Sequence, residues 1–352
     1  MGAGLASKLI LSGKMHEVLI IGCGSIGERH LRCFQQTGRA TVTACDANPA
    51  LLATLASTYG VRTHEDWRKA LDAQPFDAVV ICTPAHLHVP MAKEILQHGH
   101  HVLIEKPLSQ SLAGVAELQQ VLAASGKKAA VAYVLHTYPM LGAVRDFLAG
   151  GELGPVLQAT CTSGQYFPGG RPAHAVPYHQ TYYRDRKLGG GAIQDALTHT
   201  VNWFESVLGP TESLICDCGH QALPGVTVED TVHISARNGR ALVNYTLNQF
   251  QAPNESTLQF NTATGSVKIE FHLRRWGVMK MGEPGWTWHE VAAGERDTPF
   301  ITQAGRFLDF IEGRPAYVCT LDDAIQTLRF NLAALASADA GGIRVRCADV
   351  VA

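Results

Sequence analysis

Three side chains in this sequence are placed to handle a proton and a developing negative charge. Lys106 follows the apolar run Val102-Leu-Ile104 and stands in Glu105-Lys106-Pro107. A strand that ends there delivers an ammonium to the sheet edge where ligands bind, and Pro107 restricts Lys106 to extended backbone. Such a lysine can polarise a ligand oxygen or relay its proton. Asp195 and His199 stand four apart in Gly189-Gly-Gly191-Ala-Ile-Gln-Asp195-Ala-Leu-Thr-His199, the spacing of one helix face. His199 can exchange a proton near neutral pH, and Asp195 can bind substrate or tune the imidazole. Asn202 and Ser206 extend that stripe, with Ile193, Leu197, Phe204 and Leu208 opposite. The helix from Ala192 to Leu208 has no Lys or Arg. Short polar groups without long charged ones suit a face that lines a cleft.

A second constellation, near the start of the chain, has the spacing of a dinucleotide site. Val18-Leu-Ile-Ile21 runs into Gly22, and Gly24 and Gly27 follow at G-x-G-x-x-G spacing. Gly22 permits the tight strand-to-helix turn, Gly24 lets backbone N–H groups approach a pyrophosphate, and Gly27 lets the helix pack on the strand. Ser25 and Ile26 complete the loop. A second strand, Ala40 to Cys45, ends at Asp46, about twenty residues past the last glycine, as a dinucleotide site requires. A carboxylate there accepts from both ribose hydroxyls and repels a 2′-phosphate. Ala47 and Asn48 follow rather than Arg or Lys, so NAD is expected over NADP. Thr83 and Pro84 would border the nicotinamide ribose, with His86 and His88 on the same loop and Glu105 and Lys106 on the cofactor side.

The elements that position these groups read as alternating strands and helices. Helices are expected from Pro49 to Ser57, from Glu65 to Ala73, from Val89 to Gln97 and from Ser111 to Ala124. Strands are expected near Val61, in the buried run from Asp77 to Thr83, from His101 to Ile104 and from Ala129 to Val134. The alternation implies a doubly wound parallel sheet with ligands beyond the strands' carboxyl ends. From about Pro155 the pattern becomes apolar–polar alternation: Val243, Tyr245 and Leu247 against Asn244, Thr246 and Asn248, and Val267, Ile269 and Phe271 against Lys268 and Glu270. That describes an α+β domain with an open, mainly antiparallel sheet, helices on one face and a second face able to pair with another subunit. Helices near Gln303 to Glu312 and Leu321 to Ser337 pack on either domain. The expected organisation is a tail over 1–14, a dinucleotide-binding domain over 15–137 and a substrate-binding and oligomerisation domain over 138–352.

With 352 residues, two domains fit the chain. Lys and Arg total 29 against 31 Asp and Glu, which gives no electrostatic case for nucleic acid or an anionic membrane. No apolar run reaches the roughly 18 residues that span a bilayer. The nine cysteines lie mostly in apolar segments, as reduced thiols of a cytoplasmic protein would. His98, His100 and His101 read as a helix end beside a glycine cap, and no metal site is expected. The loop from Gly164 to Lys187 carries Tyr166, Tyr178, Tyr182, Tyr183, Arg171, Arg184, Arg186 and Lys187. Aromatics with cations suit a sugar-like ligand, with Tyr166, Tyr178 and Arg184 as substrate contacts, and suit a subunit contact almost as well.

On Gly22-x-Gly24-x-x-Gly27-x-x-His30, Thr83-Pro84-x-x-x-His88, Glu105-Lys106-Pro107 and Gly189-Gly-Gly-x-x-x-Asp195-x-x-x-His199, the chain resembles the Gfo/Idh/MocA oxidoreductases from about Met15 to its end. The resemblance implies a nicotinamide-dependent dehydrogenase acting on sugars, polyols or their derivatives. It implies Lys106, Asp195 and His199 as the catalytic set, with His199 as acid/base. The chain departs from the pattern at Ala85, where Asn is frequent, and at His136-Thr137-Tyr138-Pro139, where an Arg precedes Phe-x-Pro. The expected partners are a small sugar or polyol-like substrate and further copies of the chain, as a homodimer or homotetramer. Two other readings stay open: a non-catalytic dinucleotide-binding sensor or scaffold, and a ketone or imine reductase acting on a sugar-nucleotide precursor.

Overall fold

The computed structural model describes residues 14–169 and 176–351. The first part runs β1 (His16–Ile21), α1 (Ser25–Gln36), β2 (Ala40–Cys45), α2 (Pro49–Tyr59), β3 (Arg62–His64), α3 (Trp67–Ala73), β4 (Ala78–Ile81), α4 (His88–Gln97), β5 (His101–Ile104), α5 (Val115–Ser125) and β6 (Ala129–Val131). The second runs α6 (Pro139–Ala149), β7 (Gln158–Tyr166), α7 (Thr198–Leu208), β8 (Ser213–Gly219), β9 (Thr231–Asn238), β10 (Ala241–Asn248), β11 (Phe250–Asn261), β12 (Gly265–Glu270), β13 (Arg275–Lys280) and β14 (Thr287–Glu290). Then come α8 (Thr298–Ile311), β15 (Cys319–Thr320), α9 (Leu321–Asp339) and β16 (Val345–Arg346).

Local chemistry sets several boundaries. Asn48 caps α2 by accepting from the Ala50 and Leu51 amides, Pro49 occupies its first turn, and Gly60 closes it in the left-handed conformation. Thr320 and Asp323 form a reciprocal capping box at the start of α9. Three of the differences from the boundaries the sequence suggests have a local cause. The helix expected from Ser111 begins at Val115, because Gly114 is left-handed with φ 74°. The strand expected to reach Val134 stops at Val131, because Val134–Thr137 wind into a 3₁₀ turn. Phe271 leaves β12 for another 3₁₀ turn, Phe271–Leu273.

The first sheet has the order β15-β6-β5-β4-β1-β2-β3, parallel apart from the edge pair β15–β6. Strands β1 and β4 are neighbours although β2 and β3 intervene in sequence, so the strand order reverses between them and a cleft opens beyond their carboxyl ends. The second sheet has nine strands in the order β14-β13-β12-β11-β7-β10-β9-β8-β16, antiparallel except where β7 meets β10. One face carries Val243, Tyr245, Phe260, Val267 and Ile269, packed on Val144, Val201, Phe204 and Phe330 from α6, α7 and α9. The polar alternates, among them Asn244 and His233, occupy the open face together with half-exposed Leu242.

Helices α8 and α9 tie the two parts together. Phe307 and Leu308 of α8 pack with Val18, Ile20 and Phe34. Arg32 of α1 makes a two-pronged hydrogen bond to Asp297, at 2.8 and 2.9 Å. One end of α9 (Leu321, Ile325, Leu328) joins the first core, and Phe330 and Ala333 join the second. No described helix is long and apolar enough to cross a membrane.

Candidate active site

The glycine turn closes β1 onto α1. Gly22 has φ 83°, and a Cβ there would lie 2.9 Å from the Cys82 carbonyl; a Cβ on Gly27 would fall 1.8 Å from the Gly22 oxygen. Both positions are closed by the protein's own backbone. Gly24 is different: a Cβ would meet nothing within 4 Å, and Gly24 caps α1 with no side-chain hydrogen bond. The amides that open α1 therefore face unfilled space with the positive end of the helix dipole behind them, which fits a pyrophosphate. Asp46 lies beside this turn. Its carboxylate accepts from the Cys23 amide at 2.8 Å and the Asn48 amide at 2.9 Å. Each oxygen keeps a lone pair for a ribose hydroxyl.

A cavity of about 440 Å³ continues from the turn. Ser25, Ile26, Thr83, Pro84, His88, Glu105 and Lys106 line it, with Tyr182 and Gly189 on the opposite wall. His86 is exposed and does not line it. His88 is buried, with its ring nitrogens 2.9 Å from the Pro107 oxygen and 2.7 Å from the Thr83 oxygen. Burial pushes this imidazole down. A neutral ring donates to only one of the two carbonyls, so His88 is a brace between loops rather than a proton donor to a ligand.

Behind the cavity, buried His30 meets Glu105 Oε1 at 2.7 Å, and Glu105 Oε2 accepts from the Lys106 amide at 2.9 Å. Burial alone would raise the Glu105 carboxyl; the His30 hydrogen bond and the His30 and Lys106 charges outweigh it and hold the group below its ordinary value. His30, placed by the helix that begins at the glycines, thus fixes the backbone of Lys106 from behind.

The structure brings Lys106 to Asp195. The ammonium donates to the Asp195 carbonyl at 2.9 Å and approaches Oδ1 at 3.5 Å, and the Lys106 side chain is 17% exposed. Tyr182 donates its hydroxyl to the same Oδ1 at 2.5 Å. In the sequence Tyr182 is one of several loop aromatics and carries no motif of its own.

The helix that carries Asp195 and His199 is not the unbroken α-helix expected from Ala192. Residues Ile193–Leu197 form a π-turn, and α7 proper starts at Thr198. The wider turn breaks the predicted stripe. Asn202 is buried away from the cleft, at 2.6 Å from His136 Nε2 and donating to Thr327 at 2.9 Å. His199 packs edge-on against the Tyr133 ring with centroids 5.9 Å apart. It lines a second cavity of about 520 Å³ with Tyr138, Ser163, Gln165, Ser256 and Phe271. Among the described residues, this cavity and the one holding Lys106 share no lining residue.

The remaining substrate candidates lie apart. Tyr166 and Tyr178 line a third cavity of about 640 Å³, and Arg184 a fourth of about 450 Å³; Lys106 and His199 line neither. Of the aromatics and cations of this loop, Tyr182 reaches the Lys106 cavity, whereas the expected contacts Tyr166, Tyr178 and Arg184 do not line it; Tyr178 donates to the Pro224 carbonyl at 2.6 Å, which turns its hydroxyl to the loop before β9. Arg171 lies outside the described residues.

A reversed-order parallel sheet with an open glycine turn, joined to a nine-stranded sheet in which the π-turn before α7 holds a strand-end lysine through Asp195, defines a dinucleotide-binding two-domain protein. Residues 16–133 match the Gfo/Idh/MocA oxidoreductase family, NAD-binding Rossmann fold, and residues 142–268 match that family's C-terminal domain. The chain belongs to this family. It is 28% identical over 193 residues to inositol 2-dehydrogenase of Rhizobium meliloti, covering 54% of each chain. It is 30% identical over 192 residues to dTDP-3,4-didehydro-2,6-dideoxy-alpha-D-glucose 3-reductase of Streptomyces violaceoruber, again covering 54% of each. The match thus spans about half the length of these curated relatives. Among solved structures, an oxidoreductase from Agrobacterium radiobacter in complex with NAD+, L-tartaric acid and magnesium shares the fold, with a TM-score of 0.83 and 17% identity, covering 96% of this chain and 100% of that one. Levoglucosan dehydrogenase in complex with NADH and levoglucosan also has a TM-score of 0.83, at 20% identity, covering 95% and 100%.

Proposed function

We propose that this chain is an NAD-dependent dehydrogenase that moves a hydride between the nicotinamide and a secondary alcohol or ketone of a sugar, cyclitol or sugar derivative. The observation that carries the reading is the hold of Asp195 on the ammonium of Lys106, which lines the cavity that begins at the open glycine turn. The named relatives act on a cyclitol and a sugar nucleotide, which supports the substrate class.

A nicotinamide bound here would accept or deliver the hydride. The chain's own residues manage the proton and the charge. Two of the three ammonium donors of Lys106 point at Asp195, and the third can meet a substrate oxygen and stabilise it as it gains negative charge. Asp195, pinned by Tyr182, holds the ammonium in that direction. His199, four positions on from Asp195, is the proton acceptor for the substrate hydroxyl in a substrate that reaches from the Lys106 cavity into the one His199 lines. Asp46 favours NAD over NADP, since its carboxylate is fixed by two backbone amides and would face a 2′-phosphate with like charge.

The test is stopped-flow absorbance at the NADH band with a panel of sugars and cyclitols. Lys106→Ala and His199→Ala should each lower turnover roughly 10²–10⁴-fold. Parent rates in both variants would remove the assignment.

A further inference from the structure

The π-turn that presents Asp195 has no side-chain cap of its own. Its first amides are satisfied from elsewhere. Glu229, on the loop before β9, accepts from the Ala192 amide with its backbone oxygen at 2.9 Å and from the Ile193 amide with Oε1 at 3.1 Å. The Glu229 side chain is 2% exposed, and Oε2 lies 4.0 Å from the Arg186 guanidinium, which itself pairs with Asp339 at 2.8 Å. The glycines just before the turn fit the same arrangement. A Cβ on Gly191, at φ 95°, would sit 2.4 Å from Glu229 Oε1, and one on Gly190 would sit 2.2 Å from the Tyr183 oxygen. The approach of Glu229 and of the segment carrying Tyr182 is thus what the glycine run accommodates.

We infer that Glu229 is a positioning residue for the Lys106–Asp195 pair: a buried carboxylate from a distant loop caps the widened turn and so sets where Asp195 meets the ammonium. Two amides at the start of a helix held by one residue leave that turn little freedom to slide. Without the carboxylate, the Ile193 amide loses its acceptor inside the protein, the turn can relax, and the Asp195 carbonyl and carboxylate leave Lys106. The inference concerns geometry at the site of the proposed dehydrogenase, and one arm of its test does not need turnover.

The experiment compares Glu229→Ala, Glu229→Gln and Glu229→Asp in the full chain. Gln keeps the acceptor for the Ile193 amide; Asp keeps the charge but withdraws it by one methylene. The first readout is the rate at which acetic anhydride labels the Lys106 amine, measured by peptide mass spectrometry, with Asp195→Ala as reference. Glu229→Ala and Glu229→Asp should raise that rate toward the Asp195→Ala value, and Glu229→Gln should stay near the parent. The second readout is kinetic: kcat falls roughly 10- to 100-fold in Ala and Asp, with NADH affinity unchanged and activity restored in Gln. If Glu229→Ala does not fold, Glu229→Asp carries the comparison. A lower melting temperature with parent-like Lys106 labelling and parent-like kcat per folded molecule overturns the inference. A parent enzyme that oxidises nothing in the panel overturns the proposed function instead, and the labelling result still decides the role of Glu229.

Discussion

Substituting Gly24 by alanine should lower cofactor affinity while leaving stability nearly unchanged. Gly24 is extended, at φ −62° and ψ −166°, a conformation alanine adopts, and a Cβ there touches no protein atom within 4 Å. The folded state therefore meets no steric penalty, and the backbone freedom lost from the unfolded chain, worth about 0.4–1 kcal/mol, roughly offsets the ~1 kcal/mol that alanine costs relative to glycine at a helix N-cap. For a chain of this size the melting temperature should stay within about 1 °C of the parent. The methyl group, however, enters the space in which a pyrophosphate would approach the first amides of α1. Each hydrogen bond from an amide to a charged oxygen is worth about 1.5–3 kcal/mol, so losing two costs at least ~3 kcal/mol. At about 1.4 kcal/mol per decade, NADH affinity should fall roughly 100-fold. Differential scanning fluorimetry and NADH fluorescence titration on the same preparation measure both quantities. Parent-like NADH affinity in Gly24→Ala would refute the path assigned to the dinucleotide. A melting temperature lowered by several degrees would refute the claim that the space is empty of protein.

Two further perturbations test neighbouring parts of the argument. Asp46→Ala should narrow the preference for NAD+ over NADP+ by about tenfold or more, since like charges a few ångströms apart near a protein surface repel by about 1–4 kcal/mol; the ratio of the two kcat/KM values measures it, and an unchanged ratio removes Asp46 from cofactor selection. Burial pushes the His136 imidazole down to about 4. Its unfolded counterpart takes up a proton near pH 6.5 that the folded ring refuses, so stability falls as the pH drops from about 6.5 to about 4, by about 3 kcal/mol at most. Urea denaturation across that window should show the slope reduced by one proton in His136→Gln, and an unreduced slope would mean that His136 titrates alike in both states.

The elements around the cofactor cleft were legible because each has a local signature. The runs at Val18–Ile21 and Val102–Ile104 are continuous and apolar, as strands buried on both faces must be. Gly22, Gly27 and Asp46 sit at fixed offsets from those strands. The π-turn had no such signature. Ile193 to Leu197 contain no Gly or Pro, and the group that caps the turn, Glu229, enters from more than thirty positions downstream. Tyr182 was obscured for a related reason: its segment is a series of 3₁₀ turns, at Tyr178–Gln180, Tyr182–Arg184 and Arg186–Leu188, whose contacts follow no helical or strand period. Strands β15 and β16 have two residues each, too few to alternate. Phe271 continued the alternation of Val267 and Ile269 in sequence, yet the strand ends one residue before it.

The distance between the ammonium and the helix that answers it is set by the first sheet. Strands β5 and β6 are parallel neighbours, with Ile104 opposite Val131. Lys106 follows one and Tyr133 follows the other. Adjacent strands lie roughly 4.8 Å apart, so the two side chains leave the sheet edge side by side. Tyr133 is fully buried, and its hydroxyl lies 2.9 Å from Thr198 Oγ1, which also accepts from Asn331 of α9 at 2.9 Å. Burial pushes the phenol far above its ordinary range, so Tyr133 stays neutral and serves as a strut rather than a proton relay. It meets α7 at the residue before His199 and packs its ring against that imidazole. Lys106 meets the preceding turn at Asp195. Two consecutive strand ends thus grip two consecutive turns of one helix, and Glu229 closes the same helix from its free end. The register between ammonium, carboxylate and imidazole therefore depends on these three anchor points.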